Sequence, residues 1–169
     1  MAAIYAFKCA TCGKVHEGSP SFAFSSPWHY AQLSESDRAN ASLSSDTCTI
    51  THNDGTDYFV RVVVEVPIGG VEEEFLWGVW VSLSKSSFDR YVATHDDPDE
   101  TDSYFGWFCN RLPYYSDTVG LRTQVRPRKG GLRPFLQIER TGHPLAEDQV
   151  NGISIERARE IAECAIHDG

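Results

Sequence analysis

Apolar residues at every second position mark two stretches in the middle of the chain. In the stretch DYFVRVVVEVPI, apolar residues recur at every second position from Tyr58 to Val66. A period of two places these side chains on one face of a β-strand. The stretch EFLWGVWVSLS repeats the pattern from Phe75 to Leu83, and the intervening PIGGVEE contains the glycines of a turn. The two stretches therefore predict an antiparallel hairpin.

Weaker patterns extend the predicted sheet and add helices. Further strands are predicted over residues 47–51, 104–109, 121–126 and 133–139. Helices are predicted over residues 86–94 and 154–166, the second with Ser154 as its N-cap and with apolar residues at helical spacing. Strands in hairpin order with helices between and after them favour an α+β fold over a parallel βαβ fold. We predict a single domain over residues 1–169, with an antiparallel sheet of about five or six strands and a few helices.

Composition and charge narrow the class of protein. The 169 residues are 41% hydrophobic and 12% aromatic, which is enough for an ordinary core. The formal net charge of −9 argues against a general nucleic-acid binder, because such a protein needs a basic face to displace counterions from phosphates. The first residues lack the features of a signal peptide, and no apolar run approaches the length of a membrane span. We therefore expect a cytoplasmic protein that binds neither nucleic acid nor membrane.

The stretch FKCATCGKVHEG, residues 7–18, holds the most compact set of soft metal ligands. Five cysteines, an odd number, make a poor disulfide framework in a reducing compartment, so Cys9 and Cys12 are interpreted first as metal or redox thiols. Zinc prefers thiolate and imidazole ligands in a tetrahedron, and C-x2-C on a tight turn lets two sulfur atoms approach one ion. Gly13 lets the backbone turn tightly after Cys12, and His16 follows as a third ligand. The stretch therefore predicts a zinc-knuckle-like turn.

A turn this short supplies at most three ligands, so a structural zinc ion needs a fourth from elsewhere. Cys48, at the start of a predicted strand, ranks first, with Asp46 and His52 as alternatives. The predicted metal ligands are Cys9, Cys12, His16 and Cys48. Two other interpretations stay open: a redox pair, or two ordinary turn cysteines beside a surface histidine. Thioredoxin-like chemistry expects a helix after C-x2-C, whereas the following SPSFAFSSP predicts none.

Seven motifs occur in order along nearly the whole chain: FKCATCGKVHEG, SDTC, DYFVR, WGVWVSLS, YFGWFCNRLPYYSDT, LRPFLQIE and HPLAEDQVNGIS. Together they resemble the uncharacterised bacterial family catalogued as domain of unknown function 2199, DUF2199. The resemblance implies a small, single-domain bacterial protein and brings no established activity. In the family's pattern the four predicted metal ligands fall on motif positions, which implies one constellation. Cys109 and Cys164 do not, so they are assigned to the core.

Three groups of polar residues have both a chemical and a structural interpretation. Arg61 and Glu65 share one face of a predicted strand, either as an ion pair or with Arg61 binding an anion. In HPLAEDQ, His143 beside Glu147 and Asp148 is either an acid/base group or a cap before the last helix. The basic run RTQVRPRKGGLR either contacts an acidic partner or protects a sheet edge from aggregation. The structural interpretation is favoured for each.

The sequence contains no nucleophile elbow, Walker loop, H-E-x-x-H or dinucleotide motif, so hydrolase chemistry has little support.

The leading hypothesis is a zinc-binding cytoplasmic protein that acts as an interaction module, with a structural zinc ion and an unidentified protein partner. The first alternative is a zinc-dependent hydrolase in which His143 or Glu147 moves protons. The second is an immunity or antitoxin-like protein that binds a basic toxin, which the acidic composition favours.

Overall fold

The computed structural model describes residues 5–9, 12–18 and 20–168, with the backbone alone at residues 5–7, 16–18 and 168. The strands are β1 (Tyr5–Lys8), β2 (Val15–Gly18), β3 (Ser21–Ala23), β4 (Ala41–Leu43), β5 (Thr47–His52), β6 (Gly55–Val66), β7 (Phe75–Leu83), β8 (Tyr104–Phe108), β9 (Arg122–Arg126) and β10 (Phe135–Ile138). The helices are α1 (Trp28–Ala31), α2 (Glu35–Arg38), α3 (Lys85–Ala93), α4 (Pro144–Asn151) and α5 (Ile155–Asp168). None of the helices in the described part of the chain has the length and apolar character that a membrane crossing requires. These elements confirm the predicted α+β class.

Five consecutive strands, β6 to β10, form a closed barrel. β6 pairs antiparallel with β7 along the whole length of β7, which confirms the predicted hairpin. Each later strand pairs antiparallel with the strand before it. Because direction alternates along such a series, the first and fifth strands run the same way. The barrel therefore closes with β10 parallel to β6, where Phe135 lies opposite Val63.

Three short strands widen the sheet beyond the barrel. β5 and β4 continue it from β6 in antiparallel pairs, whereas β3 joins β7 as a parallel strand. The sheet thus has eight strands in the described part of the chain, with two parallel pairings. The predicted antiparallel sheet of about five or six strands needs correction, because three-residue strands such as β3 and β4 are too short to show alternation in the sequence.

The barrel interior is the main hydrophobic core. Alternate residues of the β6–β7 hairpin are at most 1% exposed and fill it: Val60, Val62, Val64, Val66, Phe75, Trp77, Val79 and Val81. Helix α5 begins after Ser154, whose hydroxyl accepts a hydrogen bond from the backbone N–H of Arg157 at 3.1 Å, as predicted for an N-cap. Its buried residues Ala158, Ile161 and Ala162 belong to the same core cluster. The end of α5 is therefore positioned by packing against the barrel.

A second, smaller cluster lies on the other face of the hairpin and contains Cys48, Ile50, Phe59, Trp80 and Cys109. The segment before α1 covers it, since the indole N–H of Trp80 donates to the carbonyl of Phe24 at 3.0 Å. Asn110, only 2% exposed, accepts from the backbone N–H of Trp80 at 2.8 Å and donates to the carbonyl of Ser26 at 3.0 Å. This cover explains why both faces of the hairpin are buried near Trp80.

Candidate metal centre

β1 and β2 form a separate antiparallel pair that carries the C-x2-C motif in its connection. The backbone N–H of Cys9 donates to the carbonyl of Lys14 at 2.8 Å, and that of Gly13 donates to the carbonyl of Cys9 at 2.9 Å. Gly13 has a φ of +70°, a left-handed conformation that glycine adopts without strain. These bonds turn the chain back at the end of the hairpin, so that both cysteines lie in one tight connection.

A third soft ligand reaches this connection from the last turn of α5. The Sγ of Cys9 lies 3.0 Å from the Nε2 of His167. The ligand atoms of Cys9, Cys12 and His167 all lie within 4.8 Å of one another, and no other group of three or more metal-ligating residues is as close in the described ranges. Because a tetrahedral zinc ion keeps its ligand atoms about 3.5–3.8 Å apart, the three side chains need only small movements to hold one.

Burial and the helix dipole both shape this site. Cys9 is 1% exposed and belongs to the main core cluster, whereas Cys12 and His167 are exposed. The negative end of the α5 macrodipole lies at His167 and attracts a cation. The site is thus anchored on one side by the core and open to solvent on the other.

The structure brings together only part of the predicted ligand set. Cys9 and Cys12 meet, whereas the side chain of His16 lies outside the described residues. Cys48 lies on β5 in the second core cluster and is not part of the Cys9, Cys12 and His167 group. Burial raises the pKa of the Cys48 thiol to about 11, which keeps it neutral at pH 7.

The two alternatives to Cys48 also have other partners. Asp46 accepts a hydrogen bond from the Nε of Arg133 at 2.9 Å, and hydrogen bonds from Arg133 and Ser45 hold the pKa of its carboxyl below the usual range against the effect of burial. His52 lies 3.0 Å from a carboxylate oxygen of Asp57. Neither residue belongs to the three-residue group. Asp46 therefore forms a local ion pair with Arg133, and His52 forms a local contact with Asp57.

His143 and Glu147, which the sequence also allowed as acid/base groups, have structural roles. His143 is the N-cap of α4: its Nδ1 accepts from the backbone N–H of Leu145 at 3.1 Å, and its Nε2 donates to the carbonyl of Ser116 at 2.6 Å. Glu147 pairs with Arg140 at 2.8 Å, which lowers the pKa of the Glu147 carboxyl. Both ring nitrogens of His143 are thus engaged, and the capping interpretation is confirmed.

Sequence reasoning missed His167. The relevant signal is the stretch ECAIHDG, in which Cys164 and His167 have the C-x2-H spacing of metal ligands on a helix. Residues three apart on a helix lie on the same side, so this pair presents two soft ligands along one stripe of α5. The signal is weak in sequence because nothing in it indicates that the two ends of the chain meet.

The comparisons with known proteins give a family and no activity. No curated protein and no solved structure gives a significant match to the chain. The family described as an uncharacterized protein conserved in bacteria, DUF2199, matches residues 8–153. Cys9 and Cys12 lie inside the matched range and His167 lies beyond it. Since the match covers most of the 169 residues, the chain belongs to the DUF2199 family of bacterial proteins.

Proposed function

We propose that this protein binds one Zn²⁺ through Cys9, Cys12, His167 and His16, and that the ion joins the N-terminal hairpin to the end of α5. The observation that carries the proposal is the meeting of two cysteines and a histidine, from opposite ends of the chain, within 4.8 Å. Thiolate and imidazole ligands in one tetrahedron are the usual set of a structural zinc site. Iron is the other metal that cysteine-rich sites accept, and elemental analysis separates the two.

His16 is proposed as the fourth ligand because it belongs to the same hairpin as the two cysteines, on β2 and opposite Phe7 of β1. It is also the third soft ligand of the stretch FKCATCGKVHEG. Cys164 is the rival, because it precedes His167 by nearly one turn of α5. Cys48 is no longer proposed, since it packs in the second core cluster.

The proposed role of the ion is structural. A two-stranded hairpin is only marginally stable alone, and β1 and β2 pair with no other strand of the described chain. An ion shared with α5 fixes this hairpin to an element that is packed in the barrel core. Because the site exists only when the ends of the chain meet, metal-binding free energy becomes folding free energy. The protein then acts as an interaction module, and its net charge of −9 favours a partner with a basic surface.

The test is zinc content and zinc retention during chelator titration. Parent protein isolated without added metal is expected to hold one zinc ion per chain. The variants Cys9→Ser, Cys12→Ser and His167→Asn are expected to lose it, whereas the matched controls Cys109→Ala and His95→Asn keep it. Zinc well below one per chain in the parent, or retention by all three ligand variants, contradicts the proposal.

A zinc-dependent hydrolase is the second candidate, because Cys12 and His167 are exposed and three protein ligands plus water is the usual catalytic arrangement. The variant His16→Asn separates the two. Under the structural proposal it loosens zinc, whereas an open catalytic site keeps zinc with three protein ligands. Zinc retention by His16→Asn together with zinc-dependent hydrolysis of an activated ester would favour the hydrolase.

A further inference from the structure

A small cavity lies between the end of α3 and the β9–β10 connection, far in sequence from the metal ligands. Its volume is about 90 Å³, and its polar lining is Asp46, Tyr91, His95, Arg128 and Arg133. A water molecule occupies about 30 Å³ of liquid, so the cavity has room for about three waters or one group of four or five heavy atoms. We call it the arginine cavity.

Tyr91 brings a hydrogen-bond donor without a partner to this cavity. The residue is 6% exposed, and its hydroxyl makes no hydrogen bond with any residue in the described ranges. The hydroxyl is not among the fully buried atoms that lack a partner, so it is accessible from the cavity, where a ligand can accept its hydrogen bond. Burial raises the pKa of Tyr91 to about 12, so the hydroxyl keeps its proton at neutral pH and can donate it to a ligand.

The two arginines add donors that the protein does not use. Arg133 donates from Nε to Asp46 at 2.9 Å, and its two terminal nitrogens have no hydrogen bond in the described part of the chain. Arg128 donates from Nε to the carbonyl of Arg133 at 2.8 Å and from Nη1 to Glu65 at 2.7 Å. A guanidinium group has five N–H donors, so each arginine retains donors for a ligand.

The acceptors around the cavity are already occupied. The two oxygens of Asp46 accept from Arg133 at 2.9 Å and from Ser45 at 3.0 Å. Glu65 is held by Arg128, which also corrects the predicted pairing of Glu65 with Arg61. Arg61 lies close enough to Arg133 and Asp46 for their charges to act on it, and its buried Nε has no partner among the described residues. The cavity therefore has a surplus of hydrogen-bond donors, although the carboxylates of Asp46 and Glu65 balance the charges of Arg133 and Arg128.

We infer that the arginine cavity binds a small oxyanion group, a carboxylate or a phosphate, held by the Tyr91 hydroxyl and by Arg128 and Arg133. An acceptor ligand satisfies the spare donors, and planar guanidinium groups match both carboxylate and phosphate oxygens. Three buried prolines frame the cavity: Pro98, Pro127 and Pro134. Proline fixes the backbone φ angle, so little order has to be gained on binding. This site is separate from the zinc site and does not depend on it.

The experiment is an NMR titration of the full metal-loaded chain with sodium phosphate and, separately, sodium acetate, at constant ionic strength. Saturable shifts of the amides of Gly131 and Leu132 are expected with at least one anion. Tyr91→Phe removes only the unpartnered hydroxyl and is expected to weaken affinity by about two- to ten-fold. Arg128→Gln removes a charged donor and is expected to weaken it by about ten-fold or more.

The matched controls are Tyr104→Phe and Arg140→Gln, which alter a tyrosine and an arginine outside the cavity lining and should bind like the parent. Tighter binding of phosphate shows that the cavity prefers a phosphate group, and tighter binding of acetate shows that it prefers a carboxylate. The inference is overturned if neither anion gives saturable shifts with the parent chain. It is also overturned if Tyr91→Phe and Arg128→Gln both bind like the parent.

Discussion

The substitution Cys48→Ser separates a core cysteine from a metal ligand. Cys48 is 1% exposed, packs with Ile50, Phe59 and Trp80, and its Sγ makes no hydrogen bond with the described residues. A serine hydroxyl there would be buried without a partner. The cost of such a group is about 1–3 kcal/mol. Cys48→Ala removes only one buried atom and is expected to cost about 1 kcal/mol.

These costs convert into measurable shifts of the melting temperature. In a chain of 169 residues, 1 kcal/mol lowers Tm by about 2–4 °C, so Cys48→Ser should melt about 2–12 °C below the parent. The zinc content should stay at the parent's value in both variants. The assay is thermal melting by circular dichroism, with elemental analysis of the same samples. Loss of zinc from folded Cys48→Ser would refute the reasoning and restore Cys48 as a ligand.

Three further predictions rest on other parts of the structure. Asn110→Ala removes the two hydrogen bonds by which this side chain joins Trp80 to Ser26 in the segment before α1, and chemical unfolding should show a loss of about 2–3 kcal/mol. Burial raises the thiol pKa from 9.0 to about 11 at Cys48 and to about 12 at Cys109. The stability that the neutral thiols contribute is therefore complete below pH 9 and is lost as the pH rises from 9 towards 11 and 12. Unfolding midpoints measured across this range should fall, and a flat profile would contradict the assignment. The net charge of −9 predicts no binding to duplex DNA at physiological salt, and filter retention with a steep salt dependence would show otherwise.

Long periodic segments of the sequence predicted structure well. The β6–β7 hairpin has nine register pairs, and its alternation is visible because one face fills a core. Helix α5 shows both an N-cap and a helical stripe, and both are present. Elements such as β3, α1 and α2 are only three or four residues long, so they are too short to carry a period. The position of β3 depends on its pairing with β7, and that of α1 on the hydrogen bond from the backbone N–H of Trp28 to the carbonyl of Cys109.

The group of Cys9, Cys12 and His167 was only partly predictable for a related reason. The C-x2-C spacing is local and gave Cys9 and Cys12, which the structure brings together. His167 lies 158 residues from Cys9, and contact between them follows from how α5 packs on the barrel. Cys48 shows a different limit of the sequence. A strand pattern predicts that a residue is buried, but it does not indicate which of the two core clusters contains that residue. Cys48 lies in the second cluster.

Zinc K-edge X-ray absorption on protein isolated without added metal tests the proposed centre most directly, because it counts sulfur and nitrogen neighbours of the ion. The account predicts one zinc ion per chain with two sulfur ligands at about 2.3 Å and two nitrogen ligands at about 2.0–2.1 Å. Replacement of His167 by asparagine should remove this signature. A protein that contains no zinc, or a zinc ion surrounded only by oxygen and nitrogen atoms, would contradict the account.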